Sequence, residues 1–274
     1  THLILLDPDD YSNGAAYYYD NKMMIWASPL DFELRGSHRW LQNVITHEFA
    51  HIVSLQKAMK AGTSIPGAYF QFMNYEEEKR PDVLYGYPNT LVSYPLPGTV
   101  VPPWLAEGTA QYMYDDADWD NWDSHRDMIL RDRVINDNLL SFTEMNTFGK
   151  KGIGNESTYN SGFALATYIA NEYGSDVLSK VMEELSSPLQ FSINKAILNV
   201  TGTSGRDIYQ DFKTAIEAKY NTLVDPIRVM PVQGEKLQIE GTTNIHPKWH
   251  PTENAYLYLS NKGNDYFGQT NLYY

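Results

Sequence analysis

The sequence predicts an α+β protein with a small N-terminal β-sheet, a mainly helical second lobe and a short β-rich segment at its C-terminal end. Short β-like runs occupy residues 1–35 and return after Asp225. Between these regions, apolar residues recur at helical spacing in one segment after another, and glycines stand at several predicted helix ends. Hydrophobic residues make up 42% of the 274 residues, which favours a packed core over a disordered chain.

The N-terminal region is predicted to hold three strands followed by the first helix. The predicted strands are His2–Leu6, Ala16–Tyr19 and Met23–Ala27. Ser12-Asn13-Gly14 and Asp20-Asn21-Lys22 are turn-forming sequences between them. Apolar residues at helical spacing from Leu41 to Met59 then predict a helix, and Gly62 offers a C-terminal stop.

The middle of the chain changes in character before the helices resume. Residues 65–103 hold seven of the fourteen prolines, a density that excludes one regular element and predicts a long ordered surface excursion. Pro102-Pro103 suits the first turn of the next helix. The helices predicted after the excursion are Trp104–Tyr114, Trp122–Asp137, Ser161–Tyr173, Ser175–Leu185, Ser192–Val200 and Ser204–Tyr220. After Asp225-Pro226, the predicted strands are Leu237–Ile239, Tyr256–Leu259 and Asn271–Tyr274.

Composition excludes several classes of function. The chain has 34 acidic and 21 basic side chains and a net charge of −13. No cluster of Lys and Arg is present to neutralise phosphates, so a nucleic-acid partner is not expected. No run approaches the roughly 18 unbroken apolar residues of a membrane span. The absence of cysteine excludes disulfides, thiolate metal sites and Cys nucleophiles.

One motif, His47-Glu48-Phe49-Ala50-His51, lies inside the first predicted helix. Residues i and i+4 share one face of a helix, so both imidazoles can reach one ion while Glu48 sits beside them to hold a water. About 0.01 matches to this pattern are expected by chance in a chain of this composition. The alternative is a pair of ordinary surface or core histidines.

Glu107 is the candidate third ligand, since catalytic zinc needs three protein ligands and an open position for water. It is a lone acidic residue among small apolar ones at the start of a predicted helix. Such a carboxylate is costly without a compensating cation; the alternative is a helix N-terminal acid stabilised by the helix dipole. We expect one Zn²⁺ per chain. Outer partners of the two histidines remain open among Asp115, Asp116, Asp118 and Gln111.

These residues resemble those of a known family. His47-Glu48-x-x-His51 followed by Trp104-Leu105-Ala106-Glu107-Gly108 is similar to the gluzincin zinc metallopeptidases, in which two His and a downstream Glu bind zinc. Thr158-Tyr159-Asn160-Ser161-Gly162 resembles the helix start of the aminopeptidase N-like branch, whose Tyr stabilises the tetrahedral intermediate. The resemblance implies a thermolysin-like fold, a peptide or protein substrate, Glu48 as general base and Tyr159 as oxyanion donor.

The chain departs from the aminopeptidase branch in two respects. Residues 1–46 contain no Gly-x-Met-Glu-Asn segment, whose Glu binds the free amine of the substrate in that branch, and 56 positions separate His51 from Glu107, more than in that branch. The departures favour an endopeptidase over an aminopeptidase. Met24–Ala27 is placed like the edge strand with which the family binds an extended peptide, although an ordinary central strand is equally compatible.

Residues 225–274 carry a second resemblance. His246-Pro247-Lys248-Trp249-His250-Pro251 and the following Tyr256–Gly263 stretch are similar to one blade of the Tol-associated β-propellers. We therefore expect a peptidase domain at 1–224 and a β-rich segment at 225–274. Because one blade cannot close a propeller, either further blades follow or these strands pack on the peptidase domain. The chain begins at Thr1 and is interpreted as a mature or trimmed fragment, and both resemblances imply a periplasmic or secreted setting.

Two hypotheses follow for the function. The first is zinc-dependent hydrolysis of peptide bonds. The second is a non-catalytic binding or scaffold protein that uses the peptidase fold and the propeller as a recognition surface. The presence of both Glu48 and Glu107 favours the first, because a binding protein has no need of a general base.

Overall fold

The computed structural model describes residues 1–7, 11–29, 39–62, 68–75, 77–78, 88–96, 98–112, 122–149, 153–264 and 269–274. The described chain is a mixture of α-helices and small β-sheets, which confirms the predicted α+β class. It divides into two compact units. The first comprises Thr1–Tyr69 and Pro95–Val229, and the second comprises Phe70–Tyr94 and Met230–Tyr274.

The first unit begins with a three-stranded sheet. Its strands are β1 (His2–Leu6), β2 (Gly14–Tyr17) and β3 (Lys22–Trp26), in the order β1-β3-β2. β3 pairs in parallel with β1 and antiparallel with β2, and its buried Met23 and Ile25 alternate with half-buried neighbours as the pleat requires. The strand before the first helix is therefore central, which decides between the edge and the central alternatives that the sequence left open. Among the described strands, β1 and β2 are the two edges of this sheet, one on each side of β3.

Helix α1 (Trp40–Lys57) packs on β2 and β3. Its two ends are tied to the sheet by side chains: Trp40 Nε1 donates to the carbonyl oxygen of Trp26 at 2.8 Å, and Gln56 Nε2 donates to that of Tyr18 at 2.7 Å. The buried face of α1 carries polar as well as apolar side chains. This face consists of Asn43, Val44, Glu48, Ala50, His51, Ile52 and Ser54. Burial of this many polar groups marks the face as more than a packing surface.

The helical block completes the first unit. Its helices are α2 (Pro103–Tyr112), α3 (Ser124–Ile135), α4 (Glu156–Tyr173), α5 (Val177–Ser186), α6 (Ile193–Thr201) and α7 (Gly205–Val229), with a short 3₁₀ helix at Glu144–Asn146. Gly174 and Gly202 follow α4 and α6 with positive φ angles of 97° and 81°, as their predicted role as helix stops requires. One apolar core, including Trp104, Leu165 and Leu178, joins α2, α4, α5, α6 and α7.

Helices α2 and α4 approach each other through glycine. A Cβ added to Gly108 would lie 2.3 Å from the carbonyl oxygen of Gly162, and a Cβ added to Gly162 would lie 2.5 Å from that of Trp104. Real Cβ atoms do not approach backbone this closely, so only glycine permits this spacing of the two helices.

Several predicted boundaries are wrong. α4 begins at Glu156 rather than Ser161, and α7 continues through Pro226 to Val229 instead of ending at Tyr220. Pro226 lies in the last turn of α7, where its missing N–H costs at most one backbone hydrogen bond, and Arg228 donates to the carboxylate of Asp225 there at 3.0 Å.

The second unit contains two small sheets. β4 (Ala68–Tyr75) pairs with β5 (Pro88–Leu96), so the predicted excursion does contain regular structure. β6 (Asn244–Trp249), β7 (Tyr256–Ser260) and β8 (Asn271–Tyr273) form an antiparallel sheet in that order. Leu237–Ile239 is not a strand; β6 lies further along the chain, with a register shift between Ile245 and Lys248 that accommodates Pro247. Membership of a propeller remains a prediction.

Among the described residues, no helix combines the length and the apolar character needed to cross a bilayer.

We expect Gly108→Ala to lower the free energy of unfolding by about 2 kcal/mol. Overpacking a core costs about 1–3 kcal/mol, and a contact of 2.3 Å to backbone outweighs the gain in helix propensity of about 1 kcal/mol. Denaturant unfolding of the purified variants measures the change. Gly149→Ala is the matched control, because a Cβ there meets its nearest atom at an ordinary 3.6 Å; equal losses in both variants would contradict the proposed role of the close approach.

Candidate metal centre

Three donor atoms meet between α1 and α2. The Nε2 atoms of His47 and His51 lie 2.9 Å apart, and they lie 3.0 and 3.1 Å from Oε2 of Glu107. Among the described residues, these three side chains lie close enough together to hold a metal ion. The structure therefore brings together the three predicted ligands, although 56 positions separate His51 from Glu107 in the chain.

Each ligand is placed by the local sequence. His47 and His51 are four residues apart on α1, so their rings project from the same face, edge to face with 4.5 Å between centroids. Glu107 lies in the second turn of α2, whose start is set by Pro103 and by the carbonyl oxygen of Pro102, which accepts from the backbone N–H groups of Leu105 and Ala106 at 3.1 Å.

The charges of this cluster are strongly coupled. His51 and Glu107 are only 7% and 9% exposed. Burial alone would lower the pKa of His51, but the facing carboxylate of Glu107 and, more weakly, that of Glu48 raise the pKa of this imidazole to about 9. Burial would raise the pKa of Glu107, but the two imidazoles hold the pKa of this carboxyl well below its usual range. The cluster thus favours a positive charge among its three donors.

The donor set fits a zinc ion. Two imidazole nitrogens and one carboxylate oxygen are common zinc ligands, and ligand distances of about 2.1 Å in a tetrahedron place the ligand atoms about 3.4 Å apart. The observed separations of 2.9–3.1 Å need only small side-chain movements to reach that value. Three protein ligands leave the fourth position for water or substrate, as a catalytic site requires.

Glu48 lies on the buried face of α1 and is 7% exposed. Strand β2 passes directly over it: a Cβ added to Gly14 would lie 2.6 Å from Oε1 of Glu48 and 2.5 Å from Cγ2 of Val44. Gly14 thus lets the backbone of β2 approach the carboxylate of Glu48. Gly14 begins β2 rather than completing the predicted turn, and its sequence context gives no signal for this contact, because a glycine needed for close approach has the same signature as a turn glycine.

Tyr159 is adjacent to the cluster, and its role as an oxyanion donor remains a prediction. Its ring stacks on that of His47, with 6.3 Å between centroids and 27° between planes. It also stacks on the ring of Phe148, with 5.8 Å and 26°. Tyr159 lies in the first turn of α4, and the glycine contact between Gly108 and Gly162 brings this part of α4 against the helix that carries Glu107. Phe148 was not singled out in the sequence, where an isolated Phe carries no distinguishing signal.

Gln111 contacts the backbone of Tyr159 and not a histidine. With its amide oriented to satisfy both neighbours, Nε2 of Gln111 donates to the carbonyl oxygen of Tyr159 at 3.0 Å, and Oε1 accepts from Arg126 at 2.6 Å. Nδ1 of His51 has no hydrogen-bond partner among the described residues. The other candidates for that role, Asp115, Asp116 and Asp118, lie outside the described residues.

Family models, curated proteins and solved structures were compared with the chain, and no match was found. The function is therefore inferred from the geometry and chemistry of the cluster.

We expect Glu107→Ala to weaken zinc binding by more than about 100-fold, because two imidazoles alone leave the ion under-coordinated. Metal content after dialysis against a mild chelator, measured by mass spectrometry, checks this. Glu183→Ala is the control, since the Glu183 side chain is 72% exposed and forms an ion pair with Lys57 on the surface. Full zinc occupancy in Glu107→Ala would remove Glu107 from the ligand set.

Proposed function

We propose that the chain is a zinc-dependent peptidase of the gluzincin type that hydrolyses peptide bonds and acts as an endopeptidase. The observation that carries the proposal is the convergence of His47, His51 and Glu107 within 3.1 Å of one another, with the buried carboxylate of Glu48 on the same helix. Two imidazoles, one ligand carboxylate and one further carboxylate are the groups that metal-assisted hydrolysis needs.

The roles divide among the residues by their position. His47, His51 and Glu107 would hold the zinc, which when bound supplies a Lewis acid that polarises the scissile carbonyl and lowers the pKa of a water. Glu48 lies beside His47 on the buried face of α1, and its carboxylate would take a proton from the attacking water and return it to the leaving amine.

Tyr159 would donate its hydroxyl hydrogen to the oxyanion of the tetrahedral intermediate. Its ring contacts that of a ligand histidine, and its backbone is held by Gln111. A donor fixed in advance in this way stabilises developing charge without having to reorganise during the reaction.

An extended polypeptide is the proposed substrate. β2 is an edge strand among the described strands, and its first residue, Gly14, lies against Glu48. A peptide that adds to an exposed edge of this kind is held by backbone hydrogen bonds, which do not depend on its sequence or on its ends. This mode of binding favours internal cleavage over removal of terminal residues.

The proposal is tested by turnover of a mixed peptide library with and without a chelator. Chelator-sensitive cleavage that zinc restores would support it. A protein that holds zinc but cleaves no peptide would instead support the alternative of a binding or scaffold protein.

We expect Glu48→Gln to retain zinc while turnover falls by about 100-fold or more. The amide keeps the size and polarity of the side chain but cannot accept the proton. Zinc content and kcat are measured on the same preparation, with wild-type protein as the control. Near-normal cleavage by this variant would contradict the assigned role of Glu48.

We expect Tyr159→Phe to lower kcat by about 100-fold with KM little changed, since the lost hydrogen bond strengthens only as charge develops in the transition state. Steady-state kinetics on one peptide checks this. Tyr173→Phe is the matched control, because Tyr173 ends the same helix, α4, far along it from Tyr159. Equal kcat values for wild type and Tyr159→Phe would exclude Tyr159 from the site and leave the metal assignment intact.

A further inference from the structure

Phe148 presents an apolar surface near the cluster of His47, His51 and Glu107. Three large apolar side chains recur at every third position in the segment after α3, and two of them, Phe142 and Met145, are buried in the core at 7% and 0% exposure. Phe148 is different, with 42% of its surface exposed. Its ring stacks on that of Tyr159, and with this exposure Phe148 does not fill the core as Phe142 and Met145 do.

The backbone next to Phe148 is held in place. Oγ1 of the fully buried Thr158 donates to the carbonyl oxygen of Thr147 at 3.2 Å. This bond ties Thr147, the residue before Phe148, to the first turn of α4. The 3₁₀ helix just before it is closed by a reciprocal pair of hydrogen bonds between Ser141 and Glu144, at 2.8 and 3.2 Å. These hydrogen bonds of the neighbouring residues therefore restrain the backbone position of Phe148.

This position lies within reach of a substrate. The Tyr159 ring stacks on both Phe148 and the ligand His47, so Phe148 is separated from a ligand of the cluster by one aromatic ring. Ligand sites in proteins are lined mainly by apolar and aromatic side chains, with a few polar groups that orient the ligand. Phe148 is the exposed apolar part of such a lining, and Tyr159 is its polar part.

We propose that Phe148 is a specificity-determining residue, which contacts the substrate side chain next to the scissile bond and favours aromatic and large aliphatic residues there. The inference rests on the proposed peptidase function and deepens it by naming a substrate class. A half-exposed phenyl ring gains from contact with another apolar group and offers no hydrogen bond to a polar or charged side chain. The selectivity is thus of the hydrophobic kind, which is modest in size.

The test uses a peptide series that varies only one residue beside the cleaved bond, with Phe, Leu, Ser or Asp at that position. Wild-type protein is expected to show a higher kcat/KM for Phe and Leu peptides. In Phe148→Ala, the ratio of kcat/KM for Phe over Ser should fall by about 5-fold, whereas Phe148→Leu should retain most of it. Zinc content should be unchanged in both variants.

Phe191→Ala is the matched control, since Phe191 is also exposed, at 66%, and Nζ of Lys60 lies over its ring at 4.6 Å. The control should keep the wild-type ratio. An unchanged ratio in Phe148→Ala, in a protein that still cleaves peptides, would overturn the inference and leave the proposed function standing.

A binding measurement separates the two proposals. The same peptides are titrated into zinc-loaded Glu48→Gln with and without Phe148→Ala, and we expect the preference for Phe over Ser in Kd to fall by a similar factor. Selective binding that depends on Phe148, in a protein without turnover in its wild-type form, would refute the peptidase and keep the apolar subsite. Equal binding of all four peptides to both proteins would overturn the subsite.

Discussion

The buried carboxylate of Glu107 is the constraint on which the rest of the site depends. A carboxylate that is 9% exposed has lost most of its hydration and is stable only where positive charge faces it. α1 meets this requirement with two imidazoles on one face, while Glu48 adds a further negative charge from the same helix. The cluster therefore stabilises one cation at this point. A proton on His51 and a metal ion would compete for the same donors, so metal binding is linked to proton release.

Close backbone contacts hold the elements that carry the site. Gly14 lets β2 lie against Glu48, and Gly108 with Gly162 lets α2 lie against α4. A methyl group at any of these positions would push apart elements that pack together at the site. Backbone contact of this kind leaves little room for adjustment, because packed interiors have few voids to absorb a shift.

The sequence was most informative where chemistry and local geometry coincide. The spacing of His47 and His51 has a helical meaning, and Glu107 stands out as an acid among apolar neighbours, so these three were predicted and the structure brings them together. Contacts between residues distant in the sequence, such as strand pairing, have no comparable local signal. That β3 is central follows from its pairing with both β1 and β2, and no local pattern in Met24–Ala27 distinguishes this from an edge.

The contacts that Phe148 and Gln111 make with Tyr159 could not be predicted from the sequence, which offered Gln111 only as a candidate partner of the histidines. These contacts also help to hold Tyr159 beside the cluster. Its backbone carbonyl accepts from Gln111, which in turn accepts from the guanidinium of Arg126, 4% exposed and stacked over Phe163 at 5.3 Å. A buried charged group of this type costs solvation energy and is retained where its hydrogen bonds specify one arrangement. Here that arrangement joins three helices, α2, α3 and α4, at the residue that would donate to the oxyanion. The packing of the helical block therefore contributes to the position of Tyr159.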